Sequence, residues 1–359
     1  MQRLAGNSLF ALSIGLLTCF IHCDSRAQSP TPQELPSSPI DKASKIWIAE
    51  PGDTSLNRWD PRQLFEDTGV VLEWDAKRTV LVRTSATTKT TIPGDFVVRI
   101  EPAWANASGE KIHRWFFERQ YQSVVKNGKE AINSGLPRWQ QRVILAEMIE
   151  SYSAMGKPNL AGILFVSLAK EDCPQLLLAT IPLPWGEMSF AEADLSRIQS
   201  LSEDWIAHES DAVQLLGAAW LISGAKRLNA IETLERLAKN AKNPIVSAYA
   251  RVQLWRTVPP AEILSERLPR WLAERDKLLL PLQAGPTMLL AERLQQAGLT
   301  NLAIPEWLRI ATMHGDRYHL ATKAISKASA GLRSAGRIEE ADRVQSLLDR
   351  YKTENQSPK

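Results

Sequence analysis

A mainly α fold, an array of about seven helix pairs preceded by a small β-barrel, is what this 359-residue sequence predicts. Three observations carry the prediction. Short β-branched runs crowd residues 44–104, apolar positions then recur at helical spacing from Gly109 onward, and small and aromatic residues return at matching offsets within those helices. The hydrophobic content of 44% suits a folded chain with a sizeable core.

The first segment, 1–27, has the parts of a cleaved export signal. Arg3 gives a basic start, Leu9 to Ile21 forms an apolar run, and Ser25 and Ala27 are small residues before a cleavage point near Gln28. The run falls short of the roughly 20 residues that span a bilayer, so no transmembrane segment is expected after cleavage. A lipid-attached Cys19 is the alternative, and Cys23, behind Ile21 and His22, is a poorer candidate. The expected location is therefore periplasmic or secreted. Cleavage leaves Cys173 alone, which excludes an intramolecular disulfide. It also leaves a net charge of about +2, too balanced for the basic stripe that nucleic-acid binding needs. Residues 28–43 hold four prolines among small polar residues and read as a disordered linker; 353–359 reads as a disordered tail.

Residues 44–104 read as four or five short strands. "KIWIAE" around Trp47, "GVVLEWD" from Gly69, "RTVLVRTS" from Arg78, "KTTIP" ending at Pro93 and "FVVRIEPAW" from Phe96 are each bounded by turn residues. So few strands support one small barrel, and the order of runs resembles SH3-like or Sm-like barrels. Such barrels often bind peptides or glycans through exposed aromatics, which nominates Trp59 and Trp74, with a role in filling the small core as the competing reading.

From 105 to 352 the text is helical, as in "QQRVILAEMIESYSAM" and "TMLLAERLQQAG", with short breaks at Gly, Pro or Asn. Tyr152 is followed by Gly156 at a turn and then by Ala161-x3-Phe165. Leu216-Gly217-x2-Trp220 precedes Gly224 and Ala230. Gly298 precedes Ala303-x3-Trp307, and Leu332 and Gly336 precede Ala341. Small residues let paired helices approach while aromatics fill the space between pairs. Gly156 and Gly224 stand two periods of about 34 residues apart. Weaker pairs are expected at 110–135, at 174–207 with the proline-interrupted "TIPLPW", and at 244–274 with "VPP" as the turn.

Together these motifs resemble the tetratricopeptide-repeat superfamily in degenerate form, over roughly two thirds of the chain. The resemblance implies a right-handed α-solenoid. The order of parts, with "PLPW" (Pro182 to Trp185), "QLWR" (Gln253 to Arg256) and "AGP" (Ala284 to Pro286), also looks like a group of exported planctomycete proteins. That likeness implies an envelope location and a repeat fold, and no activity.

No catalytic or cofactor motif stands out. H-E-x-x-H, G-x-S-x-G, a P-loop and a dinucleotide fingerprint are absent, and His314 and His319 are spaced off one helical face. Neither His113 nor His208 belongs to a metal motif, so no metal and no cofactor is expected. Cys173, before Pro174, reads as inert without a histidine placed beside it. Glu203-Asp204 and Glu339-Glu340 read as solvated or first-turn acids. Asn106 and Asn355 match the glycosylation pattern, which carries little weight in a bacterial chain.

Of twelve tryptophans, Trp115, Trp220, Trp255 and Trp307 fall on apolar helical faces and are expected in packing. Trp139, Trp185 and Trp271 follow proline or Pro-Arg and are the candidates for exposure. In a tetratricopeptide array the concave surface comes mainly from the first helix of each pair, which nominates Glu150, Gln214, Glu292, Gln295, Lys323 and Arg333 as a peptide groove; the competing reading is an ordinary solvated face. The expected function is a non-enzymatic scaffold of the bacterial envelope that binds a protein or peptide. The alternative is an envelope hydrolase or polymer-processing enzyme with its site where barrel meets array.

Overall fold

The computed structural model describes residues 43–49, 64–83, 88–169, 173–186, 192–278 and 280–353. The expected signal, Cys19, Cys23, Trp59 and Asn355 lie outside the described residues, as do nearly all of the linker and tail. Residues 40–359 form one compact unit, mostly helical, with a small five-stranded antiparallel sheet on the N-terminal side.

The strands are β1 (Ser44–Ala49), β2 (Leu64–Trp74), β3 (Arg78–Arg83), β4 (Lys89–Pro93) and β5 (Val97–Glu101), in the spatial order β4-β3-β2-β1-β5. Asp75 closes the β2–β3 turn by accepting hydrogen bonds from the backbone N–H groups of Lys77 (2.7 Å) and Arg78 (2.9 Å). That turn sets the register pairing Trp74 with Thr79 and Val70 with Val82. One turn of 3-10 helix, Gly94–Phe96, redirects the chain from β4 to β5, which returns beside β1. Ile46, Val71, Trp74, Leu81, Ile92 and Val97 bury one face of the sheet, and Trp139 of the helical region closes over it.

Helices α1 (Ala107–Phe117), α2 (Tyr121–Ile132), α3 (Arg138–Ala154) and α4 (Pro158–Leu168) follow, then α5 (Glu192–Ile206), α6 (Asp211–Leu221), α7 (Arg227–Asn240) and α8 (Pro244–Leu254). The chain ends with α9 (Leu268–Asp276), α10 (Ala284–Gln296), α11 (Thr300–Met313), α12 (Tyr318–Ser334) and α13 (Ile338–Thr353). Consecutive helices pack extensively from α1 to α4, from α5 to α8 and from α10 to α13, while α4 with α5, α8 with α9 and α9 with α10 make only small contacts; α1 with α3, α4 with α6, α6 with α8 and α10 with α12 also touch. Among the described residues no helix is long and apolar enough to cross a membrane.

The spacings that suggested repeats do the packing expected of them. Ala161, Phe165, Ala303 and Trp307 are fully buried, and full burial of a large apolar side chain contributes roughly 1.5–3 kcal/mol. Gly217 lets α6 approach α5 so closely that a Cβ there would lie 2.5 Å from the Ile206 nitrogen. One turn recurs at three hairpins. Gly156, Gly298 and Gly336 have positive φ (69°, 76° and 75°), and the next residue donates its N–H to a carbonyl five positions back, as in Lys157 to Tyr152, Leu299 to Leu294 and Arg337 to Leu332. Gly224 departs from its expected equivalence to Gly156: its φ is not positive, and α6 and α7 join through a different turn.

Of the two expected helix pairs broken by proline, one is corrected and the other, 244–274, has its two helices on either side of the expected break. Segment 174–207 supplies one α-helix, not two: Gln175–Thr180 is 3-10 helix and residues 181–186 are irregular, because Pro182 and Pro184 remove the N–H donors a helix needs. In 244–274, Pro259 and Pro260 break the chain into short 3-10 and π turns between α8 and α9.

Candidate functional site

The proline segment that cannot be a helix runs as an irregular strap against α6, α8 and α10. Ile181 and Leu183 are 4% exposed, and Pro182 and Pro184 are buried with them. The indole N–H of Trp220, at the end of α6, donates to the Pro182 carbonyl at 3.0 Å. Trp185 sets its ring edge-on to Tyr249 of α8 at 5.0 Å between centroids, and the Tyr249 hydroxyl donates to the Leu282 carbonyl at 3.2 Å. Gly285 of α10 makes room for that indole, since a Cβ there would lie 2.2 Å from Trp185 Cε2. "PLPW" and "AGP" are thus two halves of one contact.

Beside the strap lies a cavity of about 240 Å³. Its floor is largely apolar, with Pro182, Leu183, Trp185, Trp220, Met288 and Leu320. Its polar wall carries Glu150 from the last turn of α3 and Arg317, His319 and Lys323 from the start of α12. Arg317 donates to Glu150 across 167 residues of sequence. Burial pushes the Glu150 carboxyl above its ordinary pKa, with Asp316 adding to it and Arg317 opposing. Burial works against the Arg317 charge, but Glu150 and Asp316 hold its pKa above the ordinary value. His319 is pushed down to about 4, first by burial and then by Arg317 and Lys323, so at neutral pH it offers the cavity a neutral imidazole. Next to this pair the Arg119 guanidinium lies 3.3 Å from the ring centroid of Tyr318. Arg119 sits in the α1–α2 turn at a φ of 61°.

The six residues nominated for a groove separate. Glu150 and Lys323 line the cavity, and Glu292, 2% exposed, borders it beside Gly186 and pairs with Lys327 at 3.4 Å. Gln214 is engaged elsewhere, donating to the His208 carbonyl and accepting from Arg236. Gln295 is half-buried near the end of α10, and Arg333 is an exposed residue paired with Asp342 at 2.8 Å. Of the six, the cavity thus gathers Glu150 and Lys323, with Glu292 at its edge.

Two expectations of exposure are overturned. Trp139, at 3% exposure, meets Trp74 edge-on at 6.5 Å and donates to the Val71 carbonyl at 3.1 Å; Trp271, at 4%, stacks on Trp255 at 5.0 Å. Trp185, the third candidate, is half-buried in the cavity floor. Trp74 is buried in the sheet core, so of its two readings the structure supports the packing one. Trp255 and Trp307 are buried as expected, while Trp115 and Trp220 are half-buried. Cys173 is a buried thiol whose Sγ donates to the Pro174 carbonyl. His113 bonds to Glu147, whose carboxyl burial raises above the usual range while His113 pulls it back.

Sequence reading missed Trp220, Tyr249, Met288, Arg317 and His319 as cavity residues. The available signal was "TIPLPW", an apolar proline-broken run that has to cross the surface or be covered. Among the described residues no group of three His, Cys, Asp or Glu side chains could hold a metal ion. Comparison with protein-family models, with curated proteins and with solved structures finds no match.

Proposed function

We propose that the protein is a non-enzymatic binding module of the bacterial envelope, exported by its first 27 residues, which takes a short apolar segment of a partner protein into the cavity beside the strap. The observation that carries this reading is the cavity's composition: an apolar, tryptophan-rich floor against one charged wall. Arg317 and Lys323 outnumber Glu150, which favours a segment with an acidic group next to its apolar side chain.

A degenerate right-handed tetratricopeptide-like solenoid is the fold proposed for the helices. The next-but-one contacts of α1 with α3, α4 with α6, α6 with α8 and α10 with α12 support it, as does the turn repeated at Gly156, Gly298 and Gly336. An SH3-like barrel is proposed for the sheet, supported by the order β4-β3-β2-β1-β5 and the 3-10 turn before β5. The alternative, a hydrolase with its site where sheet meets helices, has less support: Trp74 and Trp139 occupy that junction, and Arg142 caps the Trp74 carbonyl at 3.4 Å.

Selection from a random peptide library on the mature chain tests the proposal, with Ala154→Trp as the counter-selecting variant because residue 154 faces the cavity. Enriched peptides are expected to share an apolar residue beside an acidic one and to lose binding to the variant. Failure to enrich, or equal binding to both proteins, refutes it.

A further inference from the structure

A further stretch singled out in the sequence, "QLWR" from Gln253 to Arg256, lies away from the cavity. Arg256 follows α8 in a 3-10 turn, and its guanidinium donates to the Ala219 carbonyl (2.6 Å), the Gln253 side-chain oxygen (3.1 Å) and Ser223 Oγ (2.9 Å). Arg293, only 9% exposed on α10, donates to the Val258 carbonyl and to the Gln296 side-chain oxygen at 2.6 Å. All these acceptors are neutral. Among the described residues neither arginine has a carboxylate partner, whereas Arg275 pairs with Glu306 and Arg317 with Glu150.

The two charges are near enough to act on each other. Arg256 is pushed down to about 10, first by burial and then by the Arg293 charge, and burial alone lowers Arg293; no carboxylate acts on either. Both remain cationic at neutral pH. Desolvating one guanidinium without a counter-charge is costly, and placing two together adds repulsion. Donors are also left over. Arg293 Nε and the amide nitrogen of Gln253, a residue with no exposed surface, are buried with no hydrogen-bond partner. A buried donor without an acceptor costs about 1–3 kcal/mol. Uncompensated positive charge and unspent N–H groups thus coincide between the α6–α7 turn, the end of α8 and α10. Ser223, an exposed residue, puts one edge of the cluster at the surface.

We propose that Arg256, Arg293 and Gln253 form a binding site for a tetrahedral oxyanion, a phosphate or sulfate group, which supplies the missing negative charge and accepts the unspent donors. Guanidinium forks suit such an ion because its several oxygens accept paired N–H groups. The site is independent of the peptide cavity, and each reading stands if the other fails.

The test is thermal unfolding of the full mature chain at fixed ionic strength, with chloride replaced by low-millimolar inorganic phosphate, inorganic sulfate or glycerol phosphate. A saturable rise in Tm of about 5 °C is expected with phosphate or sulfate. Glycerol phosphate distinguishes an ion site from one that takes the group on a larger molecule; a response to it, alongside or in place of the free ions, supports the site. Arg293→Met is expected to abolish the response. Gln253→Glu puts a carboxylate where the anion would sit, and is expected to raise Tm in chloride alone and to remove the phosphate effect. No saturable shift, a shift that survives Arg293→Met, or a Gln253→Glu chain less stable in chloride than the wild type overturns the proposal.

Discussion

Replacing Gly285 by alanine sets two calculable effects against each other at the cavity floor. Alanine in a helix is favoured over glycine by about 0.5–1 kcal/mol. Gly285 is the second residue of α10, where the helical gain is at the low end. Against it stands a Cβ placed 2.2, 2.4 and 2.6 Å from Cε2, Cδ2 and Nε1 of Trp185, atoms of the rigid ring system. Ordinary contact begins at about 3.5 Å, so the indole has to move by more than an ångström. Overpacking of this kind costs typically about 1–3 kcal/mol. The shift also disrupts the edge-on contact with Tyr249 at 5.0 Å, for which such pairs contribute about 0.5–1.5 kcal/mol. The clash wins, with a net loss of about 1–3 kcal/mol, or a fall in Tm of roughly 2–10 °C for a chain of this size. Gly224→Ala is the control: its nearest neighbours would lie at 3.6 and 3.9 Å, so stability should be unchanged or slightly raised. Thermal melts followed by circular dichroism measure both. Gly285→Ala at or above wild-type Tm would show that Trp185 is not seated as described.

Other consequences follow from the same contacts. Trp220→Phe keeps most of the ring but leaves the Pro182 carbonyl without its donor, so urea unfolding should show a loss of about 1–2 kcal/mol with an unchanged m-value. Arg317→Met strands a buried Glu150 and should cost about 3 kcal/mol or more, whereas Arg317→Met with Glu150→Leu should cost clearly less; equal losses would mean the pair is not coupled. His319 has a folded pKa of about 4 against an ordinary 6.5, so the unfolded chain binds the extra proton between those values. Stability from this residue is present above pH 6.5 and is lost as pH falls toward 4, by up to about 3 kcal/mol. His319→Gln should therefore flatten the acid side of the stability curve relative to wild type, and His314, pushed down to about 4 by burial, should act in the same direction.

Local features were legible in proportion to how locally they are determined. Ala161-x3-Phe165 and Ala303-x3-Trp307 announced buried faces because helical spacing alone puts a small and a large residue on one stripe. The strand runs were readable from β-branching and turn residues, and strands formed where they stood. Trp139 misled because a residue after proline at a helix start looks peripheral; the sheet that covers it is built by residues about 70 positions earlier in the chain. Gln214 and Arg333 are drawn to partners on the following helix, Arg236 of α7 and Asp342 of α13, which spacing within α6 and α12 does not announce. The Glu150–Arg317 contact joins residues 167 apart and has no local signature; it emerges only when the helices are stacked in three dimensions.

The central claim, that the concave cavity receives an apolar peptide segment, is tested most directly by where a bound peptide lands. A selected peptide carrying benzophenone at its apolar position would be cross-linked to the mature chain and the adduct mapped by mass spectrometry. Adducts on Met288, Leu320 or the strap between Ile181 and Trp185 are the predicted result, lost in Ala154→Trp. Adducts on exposed side chains outside the cavity, such as Leu228 or Leu264, that persist in the variant would contradict it.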